Sequence, residues 1–477
     1  EEGGPKIAGN GFSEEWTARV GAAEALNALS LANSINNQVK DEVLPLVEKK
    51  LRSSSWQEQE AGIYALGCIS TCCVSTSPDH LPGIMQLLLQ RIRSEQPLLR
   101  SICCWSLKQY SPWIVFQTLG MQASDILDRV LQEVQCRCLD RNKHVQAVAI
   151  ETLGQLIEVT NKMAGSGSLQ HYMPGIAQTF TACFDLYKVK NKRTLYTAVG
   201  SAVTAEPEYF VNCAEGQAIV GRIFQEFLSL SQGDLTAVPN MECLSIALTQ
   251  LGTNLLPALP KIVERCMQTI NHTAMAIQVY EQNPEEYEIP DRELMAASID
   301  VLSGIVDGLQ AQTPNVLKQI NFLCVLPLAL QDKYPRTKQA GFWLLQAAAS
   351  QCTAQLRALM PHLLDAIVAG LLPDTTIQVN ESAADAITQL CTFVTDLLEP
   401  AVHKFAPALG NILMRKQGID YAAWQFSQHQ ALEKTVCCTI NRLNLTTSHS
   451  QIWPGIQEKF TPELLLHLGT SYGYSEK

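Results

Sequence analysis

The apolar side chains of this 477-residue chain recur at the spacing of an amphipathic α-helix along almost its whole length. This spacing restricts the fold more than any other feature. Residues 99–107, 145–156 and 295–309 each place apolar or small side chains at i, i+3, i+4 and i+7, so each segment has one apolar face. From Trp16 onward no alternating β-branched run bounded by turn residues interrupts the pattern. The sequence therefore predicts an all-α protein.

The predicted helices come in pairs with a period of roughly 40 residues, which is typical of HEAT repeats. Prolines mark the expected start of the first helix in several pairs, because the first turn of a helix does not need the proline N–H. They are Pro45, Pro82, Pro327, Pro361 and Pro400. Since one pair cannot bury its apolar face alone, we expect an α-α superhelix, a HEAT-repeat solenoid of about ten pairs over residues 16–477. A large helical domain without repeats is the alternative.

Charge and the first residues indicate the kinds of partner. Residues 1–15 are acidic and rich in glycine, and we expect them to form a loose tail. The formal net charge of −11 disfavours nucleic acid and anionic membranes and favours basic partners. No run approaches the ~18 apolar residues of a membrane span. The chain begins with Glu1 and shows no secretory signal peptide, which indicates a fragment or a processed product.

Cysteine and histidine spacing gives no sign of catalysis. The 16 cysteines include adjacent pairs but no C-x-x-C, so they fit neither a zinc site nor a redox motif. Most lie in apolar windows, which predicts reduced core residues and an intracellular protein. Phosphate-loop, G-x-S-x-G and H-E-x-x-H motifs are absent, so we predict no enzyme, no metal and no cofactor. A HEAT-type metalloenzyme is the alternative, although none of the 9 histidines is followed by glutamate.

Two stripes of side chains lie apart from the positions expected to face the core. Ile102, Trp105 and Gln109 form the first, although spacing leaves Trp105 equally compatible with the core. Asp300 and Asp307 place two carboxylates about 10 Å apart on one helix face. That distance is too long for a general acid–base pair and suits two basic side chains of an extended peptide. The alternative is that both are solvated charges.

Several stretches resemble transportin, a family of karyopherin-β nuclear import receptors, in the same order along the chain. They are residues 99–107 (LRSICCWSL) with Tyr110 and Trp113, Trp56 with Gly62 and Gly67, the loop 283–291 (NPEEYEIPD), and Trp453, Phe460, Tyr472 and Gly473. The resemblance implies the C-terminal, cargo-binding half of such a receptor, with residues 1–15 as the stub of a long acidic loop. It also implies that the N-terminal arch, which carries most Ran contacts, is absent. Between Asn441 and Trp453 the chain would be about two helix pairs short.

The resemblance assigns a binding site for PY-type nuclear localisation signals, which are extended, basic, largely disordered peptides ending in Pro-Tyr. The positions of the Pro-Tyr pocket are Glu24, Asn27, Tyr64, Ile102 and Trp105. Those facing the basic part of the signal are Glu158, Glu242, Asp300, Asp307 and Gln339. Other family side chains are replaced, by Thr197, Thr204, Ala347 and, at a tryptophan position, Asp385.

The function implied by the resemblance is that of a nuclear import receptor. It would bind PY-type or basic signals on the concave face of the HEAT arch and, in the full-length protein, release them on Ran-GTP binding. The implied partners are cargo proteins, Ran GTPase and nucleoporins, not nucleic acid or membranes, and the protein would shuttle between cytoplasm and nucleus. The alternative is a HEAT-repeat scaffold subunit, of phosphatase or assembly type. A scaffold would hold folded partners through its inter-helix turns and show little salt dependence with basic peptides.

Overall fold

A computed structural model describes residues 18–31, 39–119, 125–231, 233–316, 322–372, 374–414 and 423–446, with three single residues closer to the C-terminus. These residues are helical or irregular and include no strand, which confirms the all-α prediction. The tail at 1–15 and the residues Trp453, Phe460, Tyr472 and Gly473 lie outside the described part, so the domain boundary at residue 16 stays a prediction. The chain divides into two compact units, Glu1–Arg222 and Ile223–Lys477.

The helices of the first unit follow one another with short connections. They are α1 (Ala18–Leu31), α2 (Leu44–Leu51), α3 (Trp56–Cys68), α4 (Ser70–Thr76), α5 (Leu81–Arg91), α6 (Pro97–Gln109), α7 (Ser111–Leu119), α8 (Ile126–Cys138), α9 (Lys143–Ala164), α10 (Met173–Leu186), α11 (Val189–Ala205) and α12 (Pro207–Asn212). α13 (Ala214–Ser229) contains the boundary. The second helices of the pairs, α1, α3, α6, α9 and α11, each pack against the next. The first helices α2, α5, α8 and α10 each pack on the second helix that follows.

The second unit repeats this arrangement. Its helices are α14 (Val238–Leu251), α15 (Leu259–Gln282), α16 (Glu293–Leu309), α17 (Thr313–Val316), α18 (Val325–Gln331), α19 (Pro335–Gln351), α20 (Thr353–Ala369), α21 (Ile377–Phe393), α22 (Thr395–Leu398), α23 (Val402–Met414) and α24 (Ala423–Thr446). The second helices α14, α16, α19, α21 and α24 form one layer, and α15, α18, α20 and α23 form the other. Paired, layered helices of this kind are the unit of a HEAT-type solenoid.

Proline marks the start of some first helices and not of others. Pro45 and Pro82 stand in the first turns of α2 and α5, which confirms the prediction there. Pro361 instead lies inside α20, which begins eight residues earlier at Thr353, so the prediction is wrong at that position. The turns around the proline bury Leu356 and Met360 completely. Their burial stabilises the helix enough to offset the one backbone hydrogen bond that proline removes.

Buried ion pairs join residues one repeat apart. Arg100, in the first turn of α6, donates from Nε and Nη2 to the two carboxylate oxygens of Asp140 at 2.7 and 2.8 Å. In the second unit, Arg292 Nε lies 3.1 Å from Asp332 Oδ1. Each aspartate lies in the short polar turn before a second helix, where it accepts a backbone N–H two residues on. The predicted polar turn before α9 is thereby confirmed, with Asn142 as its N-cap.

α16 is the most apolar of the long helices described in the second unit. The stretch Glu293–Gln312 is long and apolar enough to cross a membrane by composition, but 78% of its apolar window is buried. α16 packs between α14 and α19. At Gly308 an added Cβ would overlap the carbonyl oxygen of Leu248 in α14, so the two backbones approach closely. Burial on both sides accounts for the composition of this helix.

Most cysteines are buried, which confirms their predicted place in the core. Burial raises the pKa of Cys104 to about 12 and that of Cys103 well above its ordinary value. A thiol in that environment stays protonated and packs as a small apolar group.

Candidate functional site

The predicted Pro-Tyr pocket lies between α3 and α6 and is occupied by Tyr64. The rings of Tyr64 and Trp105 meet edge to face with centroids 4.9 Å apart. Their exposed fractions are 5% and 4%. The indole also covers Gly67, where an added Cβ would overlap the ring. The aromatic group expected to receive a partner therefore receives a side chain of the neighbouring helix.

The stripe predicted from Ile102 and Trp105 is not separate from the core. Ile102 is completely buried, as are the core-facing Cys103 and Leu107. That prediction is wrong because α6 is covered by α3 on one side, α9 on the other and α5 behind. A helix enclosed in this way has no free face at its centre. Binding of a partner at these two residues stays a prediction.

Two further pocket residues stand on α1, which packs against α3. Glu24 is half-buried and Asn27 is exposed. Burial and the carboxylate of Glu24 raise the pKa of Cys68, one turn beyond Tyr64, to about 12. Glu24 therefore faces α3 close to the aromatic pair.

Asp300, in the second unit, is not open to a partner. Its side chain is ion-paired with Arg336 of α19 and the residue is 9% exposed. Burial raises the pKa of Asp300 to about 6, and Arg336 offsets only part of that rise. The alternative that Asp300 is a solvated charge is therefore wrong, because α19 supplies its cation. Binding of a basic signal at Asp300 stays a prediction.

Other predicted acids are more accessible. Glu242 on α14 and Asp307 on α16 are exposed, and Gln339 on α19 is half-buried. In the first unit, Glu158 is half-buried and ion-paired with Lys162 on its own helix. The structure thus brings Glu242, Asp307 and Gln339 onto neighbouring second helices of one unit and leaves Glu158 in the other.

Sequence reasoning missed an exposed tryptophan at the centre of a second helix. Trp343 on α19 is 39% exposed, and the guanidinium of Arg336 lies 5.1 Å from the centroid of its ring. Arg336, Gln339 and Trp343 stand at i, i+3 and i+7, hence on one helix face. Extending the stripe from Gln339 by one turn would have found it.

α21, the next second helix, adds two carboxylates. Glu381 is half-buried and Asp385 is exposed, and partial burial raises the pKa of each. Asp385 is the predicted replacement of a family tryptophan, and Trp343 supplies an indole on the adjacent helix. We call Glu242, Asp307, Glu381 and Asp385 the acidic face of the second unit. No described residue forms an ion pair with any of the four.

Contacts between the second helices join the parts of this face. Ser245 Oγ on α14 donates to the carbonyl oxygen of Asp300 on α16 at 2.8 Å. Gln346 Nε2 on α19 donates to the carbonyl oxygen of Ser382 on α21 at 3.2 Å. Arg336 links α19 to α16. Within the described ranges, no group of three or more His, Cys, Asp or Glu side chains could hold a metal ion. The arrangement suits charge recognition.

The paired helices, their close second-helix packing and the Arg–Asp pairs define a class, the HEAT-type helical repeat proteins. A family model described as a HEAT-like repeat matches residues 56–110, which include α3, α6 and the aromatic pair. Solved karyopherins share the fold. Importin beta aligns with a TM-score of 0.69 at 12% identity over 97% of this chain and 55% of its own. Kap121p bound to the SUMO protease Ulp1p aligns with a TM-score of 0.61 at 15% identity, over 95% of this chain and 50% of its own. The predicted HEAT-repeat solenoid is confirmed.

The curated relatives that the chain resembles include transportins. Mouse Transportin-1 is 28% identical over 84% of this chain and 43% of its own. Importin subunit beta-2 of Schizosaccharomyces pombe is 26% identical over 78% of this chain and 40% of its own length. The predicted resemblance to transportin is thereby confirmed. The chain spans less than half the length of these two relatives.

Proposed function

We propose that this chain is the cargo-binding part of a nuclear import receptor that recognises basic nuclear localisation signals, including PY-type signals. The observation that carries the proposal is the acidic face, present in a chain similar to transportins over most of its length. In the full-length protein we expect Ran-GTP to release the cargo and nucleoporins to be further partners. The receptor would shuttle between cytoplasm and nucleus.

The acidic face supports recognition of an extended cationic peptide. A disordered signal loses conformational entropy on binding and needs a few strong contacts. Carboxylates spread over α14, α16 and α21 attract lysine and arginine side chains without requiring a fixed sequence. The same arrangement would accept many different cargoes.

Charge reversal tests this proposal. Fluorescence anisotropy would measure binding of a labelled basic peptide ending in Pro-Tyr to the 477-residue chain. Glu242→Lys with Asp307→Lys should weaken binding about tenfold and reduce its salt dependence, because two attractive charges become repulsive.

The matched control is Glu215→Lys with Glu264→Lys, which changes the net charge equally on the exposed surfaces of the first helices α13 and α15. It should leave the affinity within about threefold of wild type. Equal weakening by both pairs would mean that net charge alone acts. No binding by the wild-type chain would favour a scaffold.

Tyr64 should reduce the contribution that the Pro-Tyr end of a signal peptide makes to its binding affinity. Because its ring covers Trp105, the wild-type chain should bind peptides ending in Pro-Tyr and Ala-Ala within about threefold of each other. Tyr64→Leu should uncover the indole and favour the Pro-Tyr peptide about tenfold. Tyr196→Leu is the control, since Tyr196 is also buried beside an aromatic ring, that of Phe184. Equal preference for Pro-Tyr in both variants would contradict this reading of the pocket.

A further inference from the structure

Trp343 is unusual among the described tryptophans of the two units because much of its indole is open. Trp105, the other tryptophan at the centre of a second helix, is 4% exposed against 39% for Trp343. Trp343 stands at the middle of α19. α19 lies between α16 and α21, which carry carboxylates of the acidic face. An exposed indole in a well-packed repeat is the residue type most often found at the energetic centre of an interface.

The indole already binds a cation of the expected kind. The Arg336 guanidinium lies 5.1 Å from the ring centroid and is held there by its ion pair with Asp300. Electrostatic attraction of a guanidinium to an indole face stabilises such contacts. The structure therefore shows that the surroundings of Trp343 accept an arginine side chain.

The surroundings carry more negative charge than Arg336 can neutralise. Asp300 takes the ion pair, and Asp307, Glu381 and Asp385 remain on the helices to either side. These carboxylates stand on α16 and α21, the two second helices that pack on α19. Charge complementarity points to a cationic occupant.

We propose that Trp343 is the aromatic anchor of a second site, which binds an arginine- or lysine-rich extended segment of a partner protein. The aliphatic stem of a basic side chain packs on the open indole, and Glu381 and Asp385 on α21 take its cationic group. This site deepens the proposed receptor function and rests on it for the identity of the partner. It does not involve Tyr64, Ile102 or Trp105.

Nona-arginine peptide, which lacks Pro-Tyr, is the probe for this site. Binding of the labelled peptide to the 477-residue chain would be followed by fluorescence anisotropy. Trp343→Ala should weaken binding about tenfold, and Trp343→Phe should restore most of the affinity, because a smaller aromatic face still packs on the arginine stem. Phe116→Ala is the matched control, since Phe116 is 61% exposed on α7 of the first unit, and it should bind like wild type.

Thermal unfolding of each variant would check that Trp343→Ala still folds. If Trp343→Ala does not fold, Trp343→Phe still tests the anchor through its affinity for nona-arginine. Wild-type affinity in Trp343→Ala, equal weakening by Phe116→Ala, or no binding of nona-arginine by the wild-type chain would each overturn the anchor. The two proposals fail separately. A Pro-Tyr signal peptide bound equally by wild type and Trp343→Ala removes the anchor and leaves the receptor. Loss of nona-arginine binding in Trp343→Ala, with no binding of signal peptides, supports the anchor and contradicts the receptor.

Discussion

At the scale of single residues, neighbours on other helices decide what a side chain can do. Helical spacing placed Trp105 and Asp300 at candidate positions, but it carries no information about what stands opposite on the next helix. Tyr64 covers the first and Arg336 neutralises the second. Residue types along one helix therefore predict a stripe, and only the packed repeat shows whether the stripe is open.

Asp300 should make stability depend on pH. Burial is the main cause that raises its pKa from 3.8 to about 6, and Glu242 and Glu293 add to the rise that Arg336 partly offsets. The folded state therefore binds more protons than the unfolded state between these values. The stability contributed by the protonated form is fully present below the unfolded pKa and is lost as pH rises through about 6.

An asparagine side chain cannot ionise, so Asp300→Asn should remove this loss of stability with rising pH. Urea unfolding of wild type and variant at pH 4 and pH 7 would measure it. The free energy of unfolding of the variant, relative to wild type, should rise by about 2 kcal/mol between the two pH values. A difference between the two proteins that stays constant from pH 4 to pH 7 would rule out the raised pKa.

At the scale of helices, the sequence predicts which segments are helical more reliably than how closely they approach. The period of apolar residues predicted α6, α9 and α16, and a polar turn predicted the start of α9. The prediction that proline marks a helix start failed at Pro361, where burial of Leu356 and Met360 keeps α20 continuous. Local signals compete with packing energy, and in a buried helix the packing energy is the larger.

The contact between α14 and α16 should tolerate no side chain at Gly308. An added Cβ there would overlap the Leu248 carbonyl oxygen, so Gly308→Ala should lower the free energy of unfolding by about 2 kcal/mol or more. At Gly83 in α5 nothing lies within 4 Å of an added Cβ. Gly83→Ala should therefore be neutral or raise stability by up to about 1 kcal/mol. Similar urea midpoints for the two variants would contradict the close approach of these helices.

At the scale of the whole molecule, the sequence predicts the repeat. It predicts only part of the proposed binding surface. Repeated pairs near 40 residues predicted the solenoid, since stacking is the only way such pairs bury their apolar faces. The acidic face was predicted through Glu242 and Asp307. Trp343 escaped notice because it lies where the family resemblance gave no aromatic residue.

The buried Arg–Asp pairs should contribute far more to stability than exposed pairs of similar sequence spacing. Arg100 and Asp140 are 40 residues apart with side chains 4% and 3% exposed. Arg357 and Asp396 are 39 residues apart, but their side chains are 44% and 61% exposed. Arg100→Ala should lower the free energy of unfolding by about 3 kcal/mol, because it leaves a buried carboxylate without its cation.

Arg357→Ala is the control and should leave the free energy of unfolding close to that of wild type, because both partners of this pair are exposed. Urea unfolding would measure both, and hydrogen exchange should show the Arg100→Ala loss concentrated in the helices next to α6 and α9. Equal losses for the two variants would show that burial does not distinguish these pairs.

The Arg–Asp pairs also bear on how such a chain could change length over evolution. In each unit one arginine forms an ion pair with the aspartate of the following repeat, so these two junctions present the same cation to the same anion. Duplication of the whole repeat that carries the aspartate would leave the arginine facing an equivalent aspartate. Insertions of any other length would separate the partners. Gains of sequence at these two junctions are therefore expected to come in whole repeats.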